Sequence, residues 1–294
     1  MDIENLHAFV TVADTGSFSR SADRLHLTQP AISKRIAVLE NELNTRLFDR
    51  IGRRVLVTPA GRALLPRAYR ILVEVEDTRR VMTRLSGGRI AGKLSIATSH
   101  HIGLHRLPPV LRSFTQHYPG VELDLNFVDS EQGCQAVLKG EMELAVVTLP
   151  VKPIPQLTAS LIWHDPLAIV VGASHPLAKT KSLSLLQLLQ HPAILPAHGT
   201  YTRQVLEDAI TNLNTSNASL NVSMSTNYME TIKMMVSIGL GWSVLPLTMC
   251  DDNLHVINID ELSLERSLGI VRHTERTLSG AATKMIDTLK EHTA

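Results

Sequence analysis

The sequence predicts an α/β protein that begins with a helical domain. The chain has 294 residues, a length typical of two domains. In the first ninety residues, apolar side chains recur at steps of three and four, the spacing of one face of a helix. Beyond Gly92, apolar or alternating runs are followed by helical segments, and strands that alternate with helices build an α/β fold.

Three short helices are expected in the N-terminal segment. Gly16 ends the first, and Ser17 caps a second that runs from residue 18 to about residue 25. After the turn HLTQ, Thr28 caps a third helix, with Pro30 in its first turn, where a missing N–H costs nothing. Two short helices joined by such a turn form a helix-turn-helix motif.

The third helix has an apolar face and a polar face. Its expected apolar stripe consists of Ile32, Ile36, Leu39 and Leu43. The polar side chains Gln29, Ser33 and Lys34 cluster at its N-terminal end, away from this stripe. In a helix-turn-helix, residues at that end of the second helix of the motif reach base edges in the major groove.

A basic hairpin is expected next. Arg50, Arg53 and Arg54 flank a turn at Gly52 and precede a strand at residues 55–57, which is typical of a wing that presents arginines to the DNA backbone or minor groove. Residues 1–90 hold 15 Lys and Arg against 10 Asp and Glu, and the remainder holds 14 against 18. A basic N-terminal segment followed by an acidic remainder indicates that the N-terminal segment binds a polyanion, and the helix-turn-helix motif makes double-stranded DNA the expected partner.

The N-terminal segment resembles a known family. The run FVTVADTGSFSRSADRLHLTQPAISKRIAVLENELNTRLFDR, followed by TPAG, is similar over residues 3 to about 66 to the signature of LysR-type transcriptional regulators. The resemblance implies that the third helix lies in the major groove. Lys34 stands where the family often has Arg, so a phosphate contact is expected there rather than a bidentate guanine contact. The residues expected to contact DNA are Thr28, Gln29, Pro30, Ser33, Lys34, Arg50, Arg53 and Arg54.

A long helix is expected to follow, from Pro59 to about Leu85. Its apolar positions follow a heptad pattern at Leu64, Ala68, Ile71, Val75, Thr78, Met82 and Leu85. Such a seam either pairs two helices or packs one helix on its own domain. The resemblance implies a homodimer formed through this helix, commonly paired into a tetramer on an inverted-repeat site. The Gly-rich segment SGGRIAG, at residues 86–92, is interpreted as a hinge.

The remaining two hundred residues alternate between strands and helices. Strands are expected at KLSIAT, VELDLNF, ELAVVT, LAIVVG, AILPA, LNVSMST and GWSVLP, and helices at about residues 103–118, 131–139, 203–213 and 227–238. This order fits the effector domain of LysR-type regulators, which resembles periplasmic binding proteins with two α/β lobes. The expected domains are residues 1–58 (winged helix-turn-helix), 59–91 (linker helix and hinge) and 92–294 (effector domain); lobe one is about 92–162 with 267–294, and lobe two is about 163–266.

A small-molecule site is expected at the carboxyl ends of these strands, where ligands gather in open α/β sheets. The candidate residues are Thr98, Ser99, His100, His101, Asp129, Thr148, Thr200, Tyr201, Thr202 and Asn227. Hydroxyls and free backbone N–H groups at helix N-termini suit a carboxylate or another small anion, and the family places its effector at the same strand ends. The alternative is that Ser99, Thr200 and Thr202 only cap helices.

The histidines and cysteines are candidates for metal binding and redox chemistry. His101 and His105 are four residues apart, but no Cys or Glu stands at ligand spacing, so no metal site is expected. Instead we expect an imidazole to donate to an anionic effector, with affinity that changes near pH 6.5. Cys134 and Cys250 fall in different expected lobes, so they do not match the disulfide switch of some LysR-type proteins.

Other function classes are disfavoured. The two-lobed fold also occurs in solute-binding proteins, but no secretory signal or membrane-spanning run is recognisable, and the head is basic. None of the GxSxG, P-loop and HExxH patterns occurs, so neither an enzyme nor a bound cofactor is expected. The sequence therefore predicts a cytoplasmic regulator that binds DNA and responds to an effector, with RNA polymerase as a further partner implied by the resemblance.

Overall fold

A computed structural model describes residues 1–51, 54–85, 90–180, 183–213, 220–259 and 262–293. The chain divides into two compact units. The first comprises residues 1–88 with 276–279, and the second comprises residues 89–275 with 280–294. Within the described ranges, no helix combines the length and the apolar character needed to cross a membrane.

The first unit contains the helices and the hairpin that the sequence predicts. Its elements are α1 (Ile3–Thr15), α2 (Phe18–Arg24), α3 (Gln29–Glu42), β1 (Phe48–Ile51), β2 (Arg54–Val57) and α4 (Pro59–Leu85). Gly16 ends α1 at φ +60°, a left-handed conformation that glycine adopts without strain. Ser17 and Thr28 accept hydrogen bonds from Arg20 N and Ala31 N, so the predicted caps of α2 and α3 are confirmed.

An aromatic cluster forms the core of this unit. The ring of Phe48 lies 5.4 Å from that of Phe9 and 6.0 Å from that of Phe18. Ile32, Ile36 and Leu39 of α3 are buried against this core. Leu43 is 38 % exposed, so its predicted place in the stripe is wrong, because α3 ends at Glu42 and Leu43 already lies at the C-cap.

The hairpin of β1 and β2 is antiparallel, with Phe48 opposite Val57. The carboxylate of Glu40, on α3, accepts hydrogen bonds from the backbone N–H groups of Leu47 (2.7 Å) and Phe48 (3.2 Å), which ties the hairpin to that helix. Gly61 of α4 approaches the hairpin so closely that a Cβ atom there would lie 2.4 Å from the Leu47 carbonyl oxygen. The hairpin is therefore held at a fixed place beside α3.

The long helix α4 packs on its own unit at its N-terminal end. Leu64, Ala68 and Ile71, three positions of the predicted seam, contact the core of the first unit. The side chains of Met82 and Leu85 lie outside the described residues. The early part of the seam thus serves the helix's own domain, which was the alternative left open above. Pairing with a second chain remains an expectation for the later part.

The second unit is α/β, as predicted. Its strands are β3 (Gly92–Thr98), β4 (Val121–Phe127), β5 (Leu144–Thr148), β6 (Leu157–Gly172), β7 (Ala193–Leu195), β8 (Val222–Ser225), β9 (Ser243–Pro246), β10 (Leu254–Ile257) and β11 (Leu264–His273). Its α-helices are α5 (His100–His105), α6 (Leu107–His117), α7 (Ser130–Leu138), α8 (Leu185–Leu189), α9 (Tyr201–Asn212), α10 (Met229–Ser237) and α11 (Gly280–Glu291).

One predicted helix is wrong in its bounds. The sequence predicts a single helix over residues 103–118, but the structure has two, α5 and α6, separated at Arg106. Pro108 and Pro109 explain the break, because proline lacks an N–H and is accommodated in the first turn of a helix rather than in its interior. The elements β10, β11, α8 and α11 were not predicted.

Two long strands join the two lobes. The main sheet has the order β10-β6-β11-β5-β3-β4, with β9 also paired to β6. Strands β3, β4 and β5 are parallel and belong to lobe one, whereas β7 to β10 belong to lobe two. Strands β6 and β11 are antiparallel to each other and run through both lobes, with Trp163 opposite Leu268 near the crossing. The expected lobe boundaries fall inside these strands and remain predictions, like the domain boundaries.

Each lobe has its own apolar core. Lobe one packs α7 on the sheet through a cluster that includes Ala97, Cys134 and Val147. Lobe two is centred on the fully buried Trp242, with Leu188 and Leu206 in the same cluster. These separate cores leave polar groups at the junction of the lobes, where the strands of lobe one end.

Candidate functional site

A cleft of about 220 Å³ lies at the junction of the two lobes. Lobe one contributes the residues that follow β3, β4 and β5, and lobe two contributes those at the starts of α9 and α10 and one residue of β11. The residues that line it are Ser99, His100, His101, Phe127, Val128, Asp129, Ser130, Glu131, Gln132, Thr148, Pro196, Thr200, Thr202, Asn227, Tyr228, Met229 and Arg266.

The cleft gathers most of the residues predicted to bind an effector. Eight of the ten line it, and the exceptions are Thr98 and Tyr201. Thr98 is fully buried and donates a hydrogen bond to the Val146 carbonyl oxygen at 2.8 Å. Tyr201 packs on the core of lobe one, and burial raises the pKa of its hydroxyl. Neither side chain is placed to meet a ligand in this cleft.

The hydroxyls of the cleft have different roles. Thr200 caps α9 by accepting from Arg203 N, and it also donates to the Ala197 carbonyl oxygen at 2.9 Å. Ser99 occupies the N-cap position of α5 but makes no capping hydrogen bond through its side chain. Thr202 accepts a hydrogen bond from Arg266 Nη1 at 2.9 Å. The capping interpretation therefore describes Thr200, but not the other two.

Arg266 is a cation that lines this cleft, and it was not among the predicted site residues. Its Nε donates to Asp165 Oδ2 at 2.7 Å, and Asp165 is fully buried. Burial lowers the pKa of Arg266, whereas Asp165 opposes that effect, and an arginine stays charged at neutral pH. Among the described residues, its buried Nη2 atom has no hydrogen-bond partner. A charged donor is thus held at the cleft with the two N–H groups of Nη2 free to meet an acceptor.

A sequence signal for Arg266 existed. Arg266 is two residues from Leu264 and two residues from Leu268, and alternate side chains of a strand point to the same face, so all three lie on one face of β11. A charged residue on an otherwise buried face is unusual and marks a candidate site. The signal was missed because β11 itself was not predicted.

Hydrogen bonds between described residues join the lobes at the cleft. Asp129, which precedes α7, accepts from Asn227 Nδ2 at 2.8 Å. Glu131 of α7 accepts from the backbone N–H of Tyr201, the first residue of α9, and burial raises the pKa of its carboxyl. Free N–H groups were predicted at this helix N-terminus, but the Glu131 carboxylate of lobe one already accepts from one of them.

Three histidines gather around one carboxylate at the edge of the cleft. Glu230 Oε1 lies 2.9 Å from His105 Nε2 and 3.7 Å from His101 Nδ1, and Oε2 lies 3.6 Å from His100 Nδ1. Burial, and then the charge of Arg266, lowers the pKa of His101 to about 4. His101 is therefore neutral at physiological pH, and the expected change near pH 6.5 would have to come from another group.

The predicted DNA-contacting residues of the first unit are presented at the start of α3. Gln29, Pro30 and Lys34 are exposed, and Ser33 is half-buried. Thr28 is engaged as the N-cap. The predicted wing contacts, Arg53 and the side chains of Arg50 and Arg54, lie outside the described residues. All of these contacts remain predictions.

The surroundings of the two cysteines disfavour the reactive thiolate form. Cys134 is fully buried, and burial raises the pKa of its thiol to about 11. Cys250 is partly exposed, and burial raises its pKa as well. Since the thiolate is the reactive form, both are expected to react slowly at neutral pH.

Known proteins match this chain over both units. Residues 3–62 match the model of the bacterial regulatory helix-turn-helix proteins of the lysR family, and residues 87–294 match the LysR substrate binding domain. A probable RuBisCO transcriptional regulator of Cyanophora paradoxa is 31 % identical over 287 residues, covering 95 % of this chain and 88 % of the relative.

Solved structures share the fold. A full-length OxyR variant of Pseudomonas aeruginosa superimposes with a TM-score of 0.70 at 21 % identity, covering 100 % of this chain and 94 % of the other. Full-length CbnR in complex with its target DNA gives a TM-score of 0.62 at 19 % identity, with 99 % and 100 % covered. The matched relatives are regulators of transcription rather than enzymes. With a helix-turn-helix at one end and a two-lobed α/β domain at the other, the chain belongs to the LysR family of DNA-binding transcriptional regulators.

Proposed function

We propose that this regulator binds a specific DNA site and that a small anionic metabolite, held between the two lobes by Arg266, changes that binding. The observation that carries the proposal is the unpartnered Nη2 of Arg266 among the described residues, a buried charged donor at the wall of the cleft. Burying a charged donor without a partner is costly, and an anion in the cleft would remove that cost.

The other lining groups narrow the chemistry of the ligand. The side chain of Ser99 makes no capping bond, and His101 is a neutral imidazole that can donate to an oxygen. The carboxyl groups of Asp129 and Glu131 also line the cleft and would repel a second negative charge. A volume of about 220 Å³ is smaller than a drug-sized pocket. We therefore favour a small molecule with one carboxylate or similar anionic end and hydroxyl groups elsewhere.

The effector must act by favouring one arrangement of the lobes. A ligand shifts an equilibrium only by the difference in its affinity for the two states. The hydrogen bonds from Asn227 to Asp129 and from Tyr201 N to Glu131 cross the junction, so a ligand that competes for these groups would alter how the lobes meet. In this proposal the change reaches the DNA, and contact with RNA polymerase, through the linker helix α4.

DNA binding itself is proposed to involve two recognition helices. The exposed start of α3, with Gln29 and Lys34, would enter the major groove, and a homodimer or tetramer of a cytoplasmic regulator would meet an inverted repeat. CbnR, which shares the fold, has been solved with its target DNA. The later part of the α4 seam is the proposed dimer contact.

Fluorescence anisotropy tests the DNA part of this proposal. Wild type should bind the DNA upstream of its own gene more tightly than a scrambled duplex, and the preference should persist at higher salt. Ser33→Ala should weaken specific binding more than nonspecific binding, and Arg53→Ala should weaken both and reduce the salt dependence. Asn41→Ala, at the exposed far end of α3, is the control that should bind like wild type. Equal affinities for all proteins would refute the contact assignments.

A further inference from the structure

We propose that His101, His105 and Glu230 form a binding site for a divalent transition-metal ion of the zinc class, which would bridge the two lobes. One ligand atom from each of the three residues lies within 4.8 Å of the others. Two imidazole nitrogens and a carboxylate oxygen are a donor set that binds zinc in proteins. The proposal does not depend on the anion argued for above, because these residues could bind a metal in the absence of an effector.

The fold places the two imidazoles together. His101 and His105 are four residues apart on α5, so they share one helix face, and their ring centroids are 4.7 Å apart. Glu230 is the second residue of α10 and reaches the same point from lobe two. His105 and Glu230 are 125 residues apart in the sequence, which is why ligand spacing along the chain did not reveal the site.

The site has unused donor atoms. His101 is only 4 % exposed, and neither of its ring nitrogens has a hydrogen-bond partner among the described residues. The Oε2 atom of Glu230 is buried and also without a hydrogen-bond partner in that part of the chain. Buried polar groups are nearly always paired, so an imidazole and a carboxylate oxygen that both lack hydrogen-bond partners favour a bound cation at this place.

Metal binding requires the ligand atoms, which lie within 4.8 Å of one another, to come closer together, by up to about 1.5 Å for the widest pair. Zinc bonds of about 2.0–2.1 Å hold tetrahedral ligand atoms roughly 3.3 Å apart. The 2.9 Å contact between His105 Nε2 and Glu230 Oε1 already has about that separation, and the 3.7 Å contact to His101 Nδ1 would have to shorten slightly. His100 Nδ1 contacts the other carboxylate oxygen of Glu230, Oε2, at 3.6 Å, so water rather than His100 would take the fourth position.

The charges nearby do not prevent binding. Arg266 is an opposing cation near His101, but Asp165 pairs with it at 2.7 Å and offsets its charge. Glu230 adds a negative charge at the site itself. Because α5 belongs to lobe one and α10 to lobe two, the ion would link the lobes beside the cleft and favour the arrangement in which the three ligands meet.

Calorimetry on the untagged full-length chain, stripped with chelator, tests the site with zinc chloride as the probe. Wild type should bind one zinc per chain at this site. His105→Ala and Glu230→Gln should each weaken binding by at least tenfold, since loss of even an outer partner of a metal ligand costs about 10–100-fold. His164→Ala is the matched control, because His164 forms a similar exposed pair with Glu265 but has no place in this cluster.

Cobalt binding by the wild-type protein tests the site without relying on a variant that folds poorly. The wild-type protein with one equivalent of Co²⁺ should show the visible absorption of a tetrahedral or five-coordinate site, and zinc should abolish it. Absence of zinc binding by wild type, or binding by both ligand variants as tight as that of His164→Ala, would overturn the proposal. In that event the cluster would be a hydrogen-bonded contact between the lobes and nothing more.

Discussion

Removing Arg266 should destabilise the effector domain because it strands a buried carboxylate. Asp165 is fully buried, and Arg266 Nε is its 2.7 Å partner. Breaking a buried ion pair on one side costs about 3–5 kcal/mol. Arg106 Nη2 remains 3.3 Å from the other oxygen of Asp165, so we expect Arg266→Met to cost about 3 kcal/mol, the lower end of that range.

A second substitution separates the effect of the unpaired charge on stability from the effect of lost packing. Asp165→Asn in the Arg266→Met background removes the stranded charge, and the double variant should recover most of the loss, to within about 1 kcal/mol of wild type. Arg272→Met, on the same strand β11 but not lining the cleft, is the control.

Urea unfolding followed by tryptophan fluorescence is the assay. Both tryptophans of the chain, Trp163 and Trp242, belong to the second unit, so their emission reports on that unit in the full-length protein. With a slope of about 3 kcal/mol per molar urea, a loss of about 3 kcal/mol shifts the midpoint by about 1 M. An Arg266→Met midpoint close to that of wild type, or a double variant no more stable than the single one, would refute the reasoning.

Three further predictions follow from single features. Burial lowers the pKa of His175, whose Nδ1 accepts from Leu177 N, so the stability that His175 contributes above pH 6.5 is lost as the pH falls. His175→Asn keeps an acceptor at this position, so its urea midpoint should fall less than that of wild type between about pH 7.5 and about pH 5.5. An equal fall in both proteins contradicts this. Gly61→Ala should destabilise the first unit by about 1–3 kcal/mol in a circular-dichroism melt, since its Cβ would meet the Leu47 carbonyl; an unchanged melt contradicts the close approach. Iodoacetamide should label Cys250 well before Cys134 by mass spectrometry, and equal rates would show that Cys134 is not sealed in the core.

Local signals made the first unit predictable. The caps at Ser17 and Thr28 and the left-handed Gly16 are decided by neighbours within a few residues, so the sequence identifies where α1, α2 and α3 begin or end. The cleft was also largely predictable, because the carboxyl ends of parallel strands meet at one edge of a sheet. Ser99, Asp129 and Thr148, which line the cleft from lobe one, follow from that rule.

What the sequence could not show depends on distant pairing. Arg266 reaches the cleft only because β11 lies antiparallel between β5 and β6, a register that no short pattern specifies. Glu230 meets the histidines of α5 only when the lobes come together. The proline break between α5 and α6 was visible in the sequence, but the apolar spacing across residues 103–118 outweighed it in our prediction.

An effector screen that measures DNA affinity tests whether Arg266 recognises an anion in the cleft and thereby controls DNA binding. Small hydroxylated carboxylates and their neutral amides would be titrated into the complex of wild type with its upstream DNA, and into that of the Asp165→Asn/Arg266→Met variant. We expect that at least one carboxylate changes the DNA affinity of wild type about fivefold or more and that its amide does not. The double variant should bind DNA without responding to either compound. A response to the amide alone, or an equal response from the double variant, would contradict this expectation.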